Sequence, residues 1–355
     1  MTAAAPAVED GLVERTLAAD GRRARAAMLA YLPQDGPRAD LYDLVADYPS
    51  RPGKGIRPAL CLATCRAHGG ETEDALNGAA AIELLHNAFL VHDDICDDAS
   101  HRRGAPALHR RHGVPRALNA GDALAWLAMG PLLDNVKTLG TELALDVLAE
   151  FQHLIQRTIE GQAVELAWRD RRFADLDIDT YLKVVIDKTC WYSTIHPCRV
   201  GALIGSRGRA DLEAIAHFGF FLGAVLQIRD DIENVTDCER AHAKGFGSDI
   251  IEAKPTLLLI HLARSVPPRT LDEVTRLVGP AGDSGGAGRA ERISHVVELM
   301  ERYGSIDYAC AFADGLAGAA LAEFEAAMGW LPESPDKDFL RMLVLHLRDP
   351  VIRGR

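Results

Sequence analysis

Two clusters of acids at matched spacing stand far apart in this 355-residue chain: His92-Asp93-Asp94-Ile95-Cys96-Asp97-Asp98 and Gln227-Ile228-Arg229-Asp230-Asp231-Ile232-Glu233-Asn234. On a helix, residues three and four apart share a face, so Asp93 and Asp97 stack one turn apart with Asp94 and Asp98 on the flank. Such a face repels itself unless a cation sits against it. The second cluster repeats the geometry with Asp230, Asp231 and Asn234, the last offering an amide oxygen where the first has a carboxylate. Both suit a hard divalent cation such as Mg2+, which takes oxygen ligands, keeps several waters and is held by one or two carboxylates plus substrate phosphates. Two such clusters facing each other would hold a diphosphate between them. The competing reading is a solvated acidic helix face. Largely apolar runs lead into both clusters, Leu84 to Val91 and Phe218 to Leu226, so the acids end otherwise buried segments.

The elements that must position these acids read as helices. Alanine and leucine dominate the apolar positions and β-branched alternation is scarce, so an all-α chain is expected. The periodicity predicts helices over about 8–32, 56–68, 73–96, 118–136, 141–169, 178–205, 209–234, 255–265, 289–302, 305–329 and 336–347, with ends uncertain by roughly two to four residues. The helices carrying Asp93 and Asp230 are apolar on most faces, which puts them at the centre of a bundle. Breakers fall between helices at 33–37, 49–55, 69–70, 104–115 and 279–288, the last a Gly-rich surface loop. No domain boundary or internal repeat stands out, so residues 1–355 are expected to form a single domain.

A composition of 48% hydrophobic and 25% charged residues is that of a globular protein, and the net charge of −12 argues against nucleic acid as partner. An anionic substrate must therefore be met by local cations and metal. The seven cysteines, Cys61, Cys65, Cys96, Cys190, Cys198, Cys238 and Cys310, show no pairing pattern and read as free thiols in a reducing cytoplasm. Cys61 and Cys65 lack a second zinc-spaced pair and read as small core residues. Met1 to Asp10 has no signal-peptide pattern, and no run approaches the roughly 20 apolar residues of a membrane span.

The remaining charged motifs are cationic. Gly53-Lys54-Gly55-Ile56-Arg57-Pro58 opens a helix from a Gly-bearing turn, suited to an anion or simply an exposed helix start. Arg102-Arg103-Gly104 follows the first acids, where the arginines could neutralise Asp98 or grip a phosphate. Lys188-Thr189 and Lys254-Pro255-Thr256 each set a lysine near a threonine in apolar surroundings, where a buried ammonium needs a partner.

Taken in order, these motifs resemble the trans-isoprenyl diphosphate synthase, or polyprenyl synthetase, family. The likeness runs from about Pro52 to Leu347: GK-x-x-RP at Gly53 to Pro58, HDD-x-x-DD-x-x-x-RRG at His92 to Gly104, KT at Lys188 and Thr189, Q-x-x-DD at Gln227 to Asp231, and D-x-x-x-x-KPT at Asp249 to Thr256. Tyr303-Gly304-Ser305-Ile306 is also similar. The resemblance implies one large helical bundle around a deep apolar cavity, usually homodimeric. It implies that Asp93, Asp94, Asp97 and Asp230, with Asp231 and Asn234 in support, coordinate Mg2+, three ions with bound diphosphate. Lys188, Lys254 and Arg102 would hold an allylic diphosphate. Lys54, Arg57, His86 and Arg103 would bind isopentenyl diphosphate, and Thr189 and Gln227 would lie near the carbocation.

Product length would follow from what fills the cavity below Asp93. Phe89 lies one turn deeper beside the small Ala88, and a single aromatic plug suggests farnesyl or, preferably, geranylgeranyl diphosphate; simple core packing is the competing reading. Trp191 and Tyr192 are further candidates for the cavity wall. Of the histidines, His86, His92, His196 and His242, most read as packing or surface residues, with His92 able to orient Asp93.

Three departures from the family pattern stand out: Asn234 replaces an Asp, Ala253 a Gly, and Cys96 an acid. They leave room for a terpene cyclase on the same fold, although such an enzyme has no need of Lys54, Arg57 and His86. A catalytically silent regulatory subunit usually loses one acid cluster, and this chain keeps both. A di-metal carboxylate bundle would show Glu-x-x-His pairs, which neither cluster does.

Overall fold

The helical periodicity is realised almost throughout the computed structural model, which describes residues 11–168, 175, 177–236, 245–279 and 288–348. The described residues form α1 (Leu12–Ala30), α2 (Asp43–Ser50), α3 (Ile56–Ala67), α4 (Thr72–Cys96), α5 (Leu108–His112), α6 (Val114–Leu127), α7 (Met129–Leu139), α8 (Thr141–Trp168) and α9 (Ile178–Val184). Beyond these run α10 (His196–Gly205), α11 (Leu212–Thr236), α12 (Ser248–Ile251), α13 (Leu257–Ser265), α14 (Pro268–Leu277), α15 (Arg289–Arg302), α16 (Ser305–Met328) and α17 (Pro335–Arg348). Arg38–Tyr42 and Val185–Ile195 are π-helical. The strands β1 (His101–Arg102) and β2 (Ala105–Pro106) pair antiparallel, with Arg102 opposite Ala105.

Two expected helices are divided, and proline explains both divisions. The helix expected over 118–136 is α6 and α7 meeting at Ala128, because the Pro131 ring would clash with the Leu127 carbonyl four residues back. The helix expected over 178–205 is α9, a π segment and α10. Pro197 forbids its own bond to the carbonyl of Ser193, and the wider π winding absorbs the interruption. Helices α2, α5, α12 and α14 are additions, each of ten residues or fewer and so too short for the periodicity to stand out. Most of the loop expected at 279–288, together with Cys238 and His242, lies outside the described residues.

The two acid-bearing helices lie inside the bundle. Helix α4 packs against α1, α3, α6 and α7, and α11 against α10, α16 and the π segment. Alanines 79, 80, 81 and 88 of α4 are fully buried, which lets neighbours approach closely. The π segment is gripped from both sides through glycines. A Cβ on Gly161 of α8 would stand 2.3 Å from the Lys188 nitrogen, and one on Gly223 of α11 would stand 2.4 Å from Thr194 Oγ1. Side chains there would push the backbone carrying Lys188 and Thr189 away from both helices. Helix α11 is long and apolar enough to cross a membrane by length and composition. Half of its apolar window is buried against the rest of the protein, and it carries Asp230 and Asp231 near its C-terminal end.

Candidate active site

The first acid cluster occupies the C-terminal end of α4, where the helix dipole is itself negative, so the acids need cations close by. They have them. Lys188 Nζ lies 3.2 Å from Asp93 Oδ1 and 2.7 Å from Glu165 Oε1 on α8. Lys254 Nζ lies 2.7 Å from Asp97 Oδ2 and 2.9 Å from Glu252 Oε2. Arg102 donates from Nε at 2.8 Å, and from Nη2, to Asp94 Oδ1, while the Tyr48 hydroxyl donates to the other oxygen of Asp94. Burial would push the Asp93 carboxyl up, but Lys188, Lys254 and Arg102 outweigh it and hold the group well below its ordinary range. Burial likewise works against the Lys188 ammonium, and Asp93 and Glu165 more than restore it.

A tight hairpin delivers the arginines. Arg103 and Gly104, the two residues between β1 and β2, have φ of 50° and 78°, the left-handed pair that matches the twist of a two-residue hairpin loop. This turn sends Arg102 towards Asp94 and Arg103 in a different direction, towards His86.

The second cluster, near the C-terminal end of α11, is held differently. Asp230 is reached by Lys54 Nζ at 3.2 Å, and Lys54 also lies 3.8 Å from Glu233. Buried Asp231 accepts from Gln227 Nε2 at 2.7 Å and from the Tyr181 hydroxyl at 3.0 Å. Burial and then the neighbouring Asp249 push its carboxyl up to about 8. The Asn234 amide oxygen accepts from the Asp249 backbone N–H at 3.3 Å, and its Nδ2 donates to Ser248 Oγ at 3.0 Å, so this side chain caps the turn that opens α12. Thr189 Oγ1 donates to Gln227 Oε1 at 3.1 Å, linking the π segment to α11.

Beside the clusters is a cationic pocket. Arg57 and Arg103 both lie 3.3 Å from His86 Nε2, and Arg57 also donates to Ser193 Oγ at 2.7 Å. The Arg57 guanidinium stacks 4.5 Å over the Tyr192 ring, and its buried Nε has no hydrogen-bond partner among the described residues. The adjoining cavity, about 470 Å³, is lined among others by Arg25, Lys54, Glu83, Asn87, Arg103 and Arg229. Phe89, three residues after His86 on α4, meets Tyr192 edge-on at 5.7 Å. Trp191 turns the other way, 4.4 Å from His153 of α8, and is not on the Phe89 side. His196 is fully buried against Phe151 at 4.4 Å, and His92 lies 3.2 Å from Asp122.

The donors fit Mg2+ by chemistry: Asp93, Asp97 and Asp230 supply hard carboxylate oxygens. Such an arrangement suits an ion that completes its shell with water and phosphate oxygens. The predicted residues thus fall into one connected region, Asp93, Asp94, Asp97, Lys188, Lys254 and Arg102 on one side and Asp230, Asp231, Gln227 and Thr189 on the other. Glu165, Glu252, Tyr48, Tyr181 and Glu83 belong to it and are not marked by any local motif. Only Glu83 carried a signal, since it sits one turn before His86 and Asn87 on the same face of α4.

A sequence model of the family described as polyprenyl synthetase matches residues 39–288. The chain is 33% identical over 261 residues to a short chain isoprenyl diphosphate synthase of Methanothermobacter thermautotrophicus, covering 74% of this chain and 76% of that one. It is 32% identical to a geranylgeranyl diphosphate synthase of Sulfolobus acidocaldarius, covering 79% and 82%. Among solved structures, geranylgeranyl pyrophosphate synthetase of Pyrococcus horikoshii superposes with a TM-score of 0.83 at 28% identity, covering 96% of this chain and 98% of that one.

Proposed function

Because the chain belongs to the polyprenyl synthetase family and is a trans-prenyltransferase of the all-α isoprenoid synthase fold, we propose that it condenses isopentenyl diphosphate with an allylic diphosphate to make geranylgeranyl diphosphate. The observation that carries this reading is the pairing of Asp93 with Lys188, of Asp97 with Lys254 and of Asp230 with Lys54. A metal–diphosphate group would take over both halves of these pairs, the metal the acids and the diphosphate the cations. Bound Mg2+, three ions in this reading, would neutralise the charge that develops on the departing diphosphate. Asp93, Asp97 and Asp230 would hold it, with Asp94 and Asp231 fixing the ends of the two helices.

Lys188, Lys254 and Arg102, each released from its acid, would grip the allylic diphosphate. Lys54, Arg57, His86 and Arg103 would hold isopentenyl diphosphate with its double bond towards the allylic carbon. As the carbon–oxygen bond breaks, Thr189 and Gln227 would turn their oxygens towards the cation. The double bond attacks, and a proton is lost to the released diphosphate. The apolar walls formed by α4 and α11 exclude water, which would otherwise quench the cation. Phe89 against Tyr192 would limit the chain to a short product.

Exposed Leu118 and Trp126 on α6, Leu133 on α7 and Leu145 on α8 support a homodimer, which light scattering would test. The six described cysteines are free, which supports a reducing, cytoplasmic setting. The deciding experiment incubates the protein with Mg2+, isopentenyl diphosphate and dimethylallyl, geranyl or farnesyl diphosphate, then identifies products by mass spectrometry before and after phosphatase. A linear C20 alcohol seen only after phosphatase is the expected result. A cyclic product formed from the allylic diphosphate alone would show a cyclase, and no product a silent subunit.

A further inference from the structure

We propose that Glu233, fixed by Arg229, is a positioning residue for Lys54: it keeps the lysine beside the second diphosphate once metal has taken Asp230. The inference rests on the reading that Lys54 is a ligand of isopentenyl diphosphate.

Lys54 stands in the turn before α3, where Gly55, at φ of 69°, packs so close to α1 that a Cβ there would meet the Leu17 carbonyl at 3.1 Å. Helix α1 therefore places the backbone, whereas the lysine side chain is largely exposed and loses much rotamer freedom when it is held. Two carboxylates of α11 reach it, Asp230 Oδ1 at 3.2 Å and Glu233 Oε2 at 3.8 Å. Asp230 cannot serve the ammonium and a divalent cation together. When metal binds, Lys54 is repelled from Asp230, and Glu233, three residues further along the same helix, remains within its reach.

Glu233 is itself held. Its other oxygen, Oε1, accepts from Arg229 Nε at 2.7 Å, and Arg229 donates from Nη1 to the His346 carbonyl at 2.6 Å. His346 lies in the last turn of α17, where the final carbonyls have no intrahelical donor and a cation is favoured. Arg229 thus closes the end of α17 with one nitrogen and orients Glu233 with another. The Arg229 and Glu233 side chains are each only 11% exposed. An ordinary i,i+4 pair on a solvated helix face has neither this burial nor a third partner. The His346 ring also lies 3.5 Å from Glu14, so the helix that places the Lys54 backbone and the helix that anchors Arg229 are tied together here. The contacts run from α17 through Arg229 and Glu233 to Lys54, and leave Glu233 Oε2 for the ammonium.

The test measures calorimetric binding of isopentenyl diphosphate with Mg2+, and its KM with farnesyl diphosphate as co-substrate, for full-length wild type, Glu233→Gln, Lys54→Met and the double variant. Farnesyl diphosphate binding with Mg2+ and thermal melting are run alongside. Removing a carboxylate makes the region more positive and by itself would tighten a diphosphate, so weaker binding is the mark of lost positioning. Glu233→Gln, nearly isosteric, is expected to weaken isopentenyl diphosphate binding and raise its KM by about two- to fivefold, with kcat and farnesyl diphosphate affinity within about twofold of wild type. In the Lys54→Met background the same substitution should have no further effect. Arg229→Lys, which keeps the charge but offers one nitrogen to two acceptors, should show part of the loss. Unchanged or tighter isopentenyl diphosphate binding in Glu233→Gln would overturn the proposal, as would an equal loss with and without Lys54. Wild-type affinity in Lys54→Met would instead overturn the reading of Lys54 itself.

Discussion

The two acid clusters are built from similar sequence and compensated in opposite ways. At the end of α4, Asp93, Asp94 and Asp97 each have a cation within reach, Lys188, Arg102 and Lys254. At the end of α11, Asp230 shares the exposed Lys54, and Asp231 makes no ion pair among the described residues; a tyrosine and a glutamine hold it instead. Each cluster buries its second aspartate against a tyrosine hydroxyl, Tyr48 in one and Tyr181 in the other. The difference is the arginine. Asp94 has Arg102 as an ion-pair partner; without one, Asp231 is pushed up to about 8 by burial and Asp249. Each of the three α4 acids is therefore ion-paired before ligand arrives, and the cations are already in place to change partners from carboxylate to diphosphate. The α11 cluster holds its surplus charge as a proton and gains most from a metal.

The largest effect should come from removing the acid whose cation changes partner. Asp93→Ala deletes a metal-facing oxygen and leaves Lys188 paired with Glu165, so the fold should persist while turnover falls by about 10³-fold or more. Turnover within tenfold of wild type, measured by product formation at saturating Mg2+, would mean that Asp93 does not act through metal.

The contrast between the clusters predicts a pH effect next in size. The folded pKa of Asp231 is raised above its ordinary value, so the native state keeps a proton that the unfolded chain gives up. From about pH 4 to about pH 8 the native state therefore loses stability relative to a variant without this acid. In chelator, the melting temperature of Asp231→Asn should match wild type near pH 4 and exceed it increasingly towards pH 8. Mg2+ with inorganic diphosphate should shrink the gap. Parallel melting curves at all pH values would show that Asp231 carries no excess proton.

Much of this was legible in the sequence because it is local. Helical spacing placed Asp93 beside Asp97, and the apolar runs before both clusters correctly put α4 and α11 inside the bundle. Partners contributed from far along the chain were not legible. Glu165 meets Lys188 only because Gly161 lets α8 lie against the π segment, and Tyr48 reaches Asp94 from a helix too short to have a clear periodic signal. The breaks at Ala128 and before His196 are a different case. Pro131 and Pro197 were visible, but strong apolar periodicity on either side masked their consequence. Asn234 is the subtlest: its type suggested a ligand, whereas its amide spans Ser248 and Asp249.

Asn234→Asp tests that last point. A carboxylate can still accept from the Asp249 N–H and from the Ser248 hydroxyl, so the turn should survive. It adds negative charge to the cluster that already lacks compensation. Without metal the variant should melt lower than wild type, and the Mg2+ concentration giving half-maximal rate should fall by about two- to fivefold. An unchanged Mg2+ requirement would mean that this position is insulated from the metal and serves the α12 turn alone.

The smallest effect concerns the link between the clusters. Lys254 follows the turn that Asn234 caps, yet its ammonium belongs to Asp97 of the other cluster, so the backbone between Asp249 and Lys254 runs from one cluster to the other. Ala253 makes that crossing with φ of 54°, a left-handed conformation that costs an L-residue roughly 1–2 kcal/mol. Glycine adopts it without that cost but loses roughly 0.5–1 kcal/mol more chain entropy on folding. Ala253→Gly should therefore stabilise the protein by about 0.5–1 kcal/mol, a rise of about one or two degrees in melting temperature, with turnover within about twofold. A lower melting temperature would indicate that the strain at Ala253 is offset by packing of its methyl group. In that case Lys254 would be held on the α4 side by contact as well as by charge, and the two clusters would be more rigidly coupled than their unequal compensation alone requires.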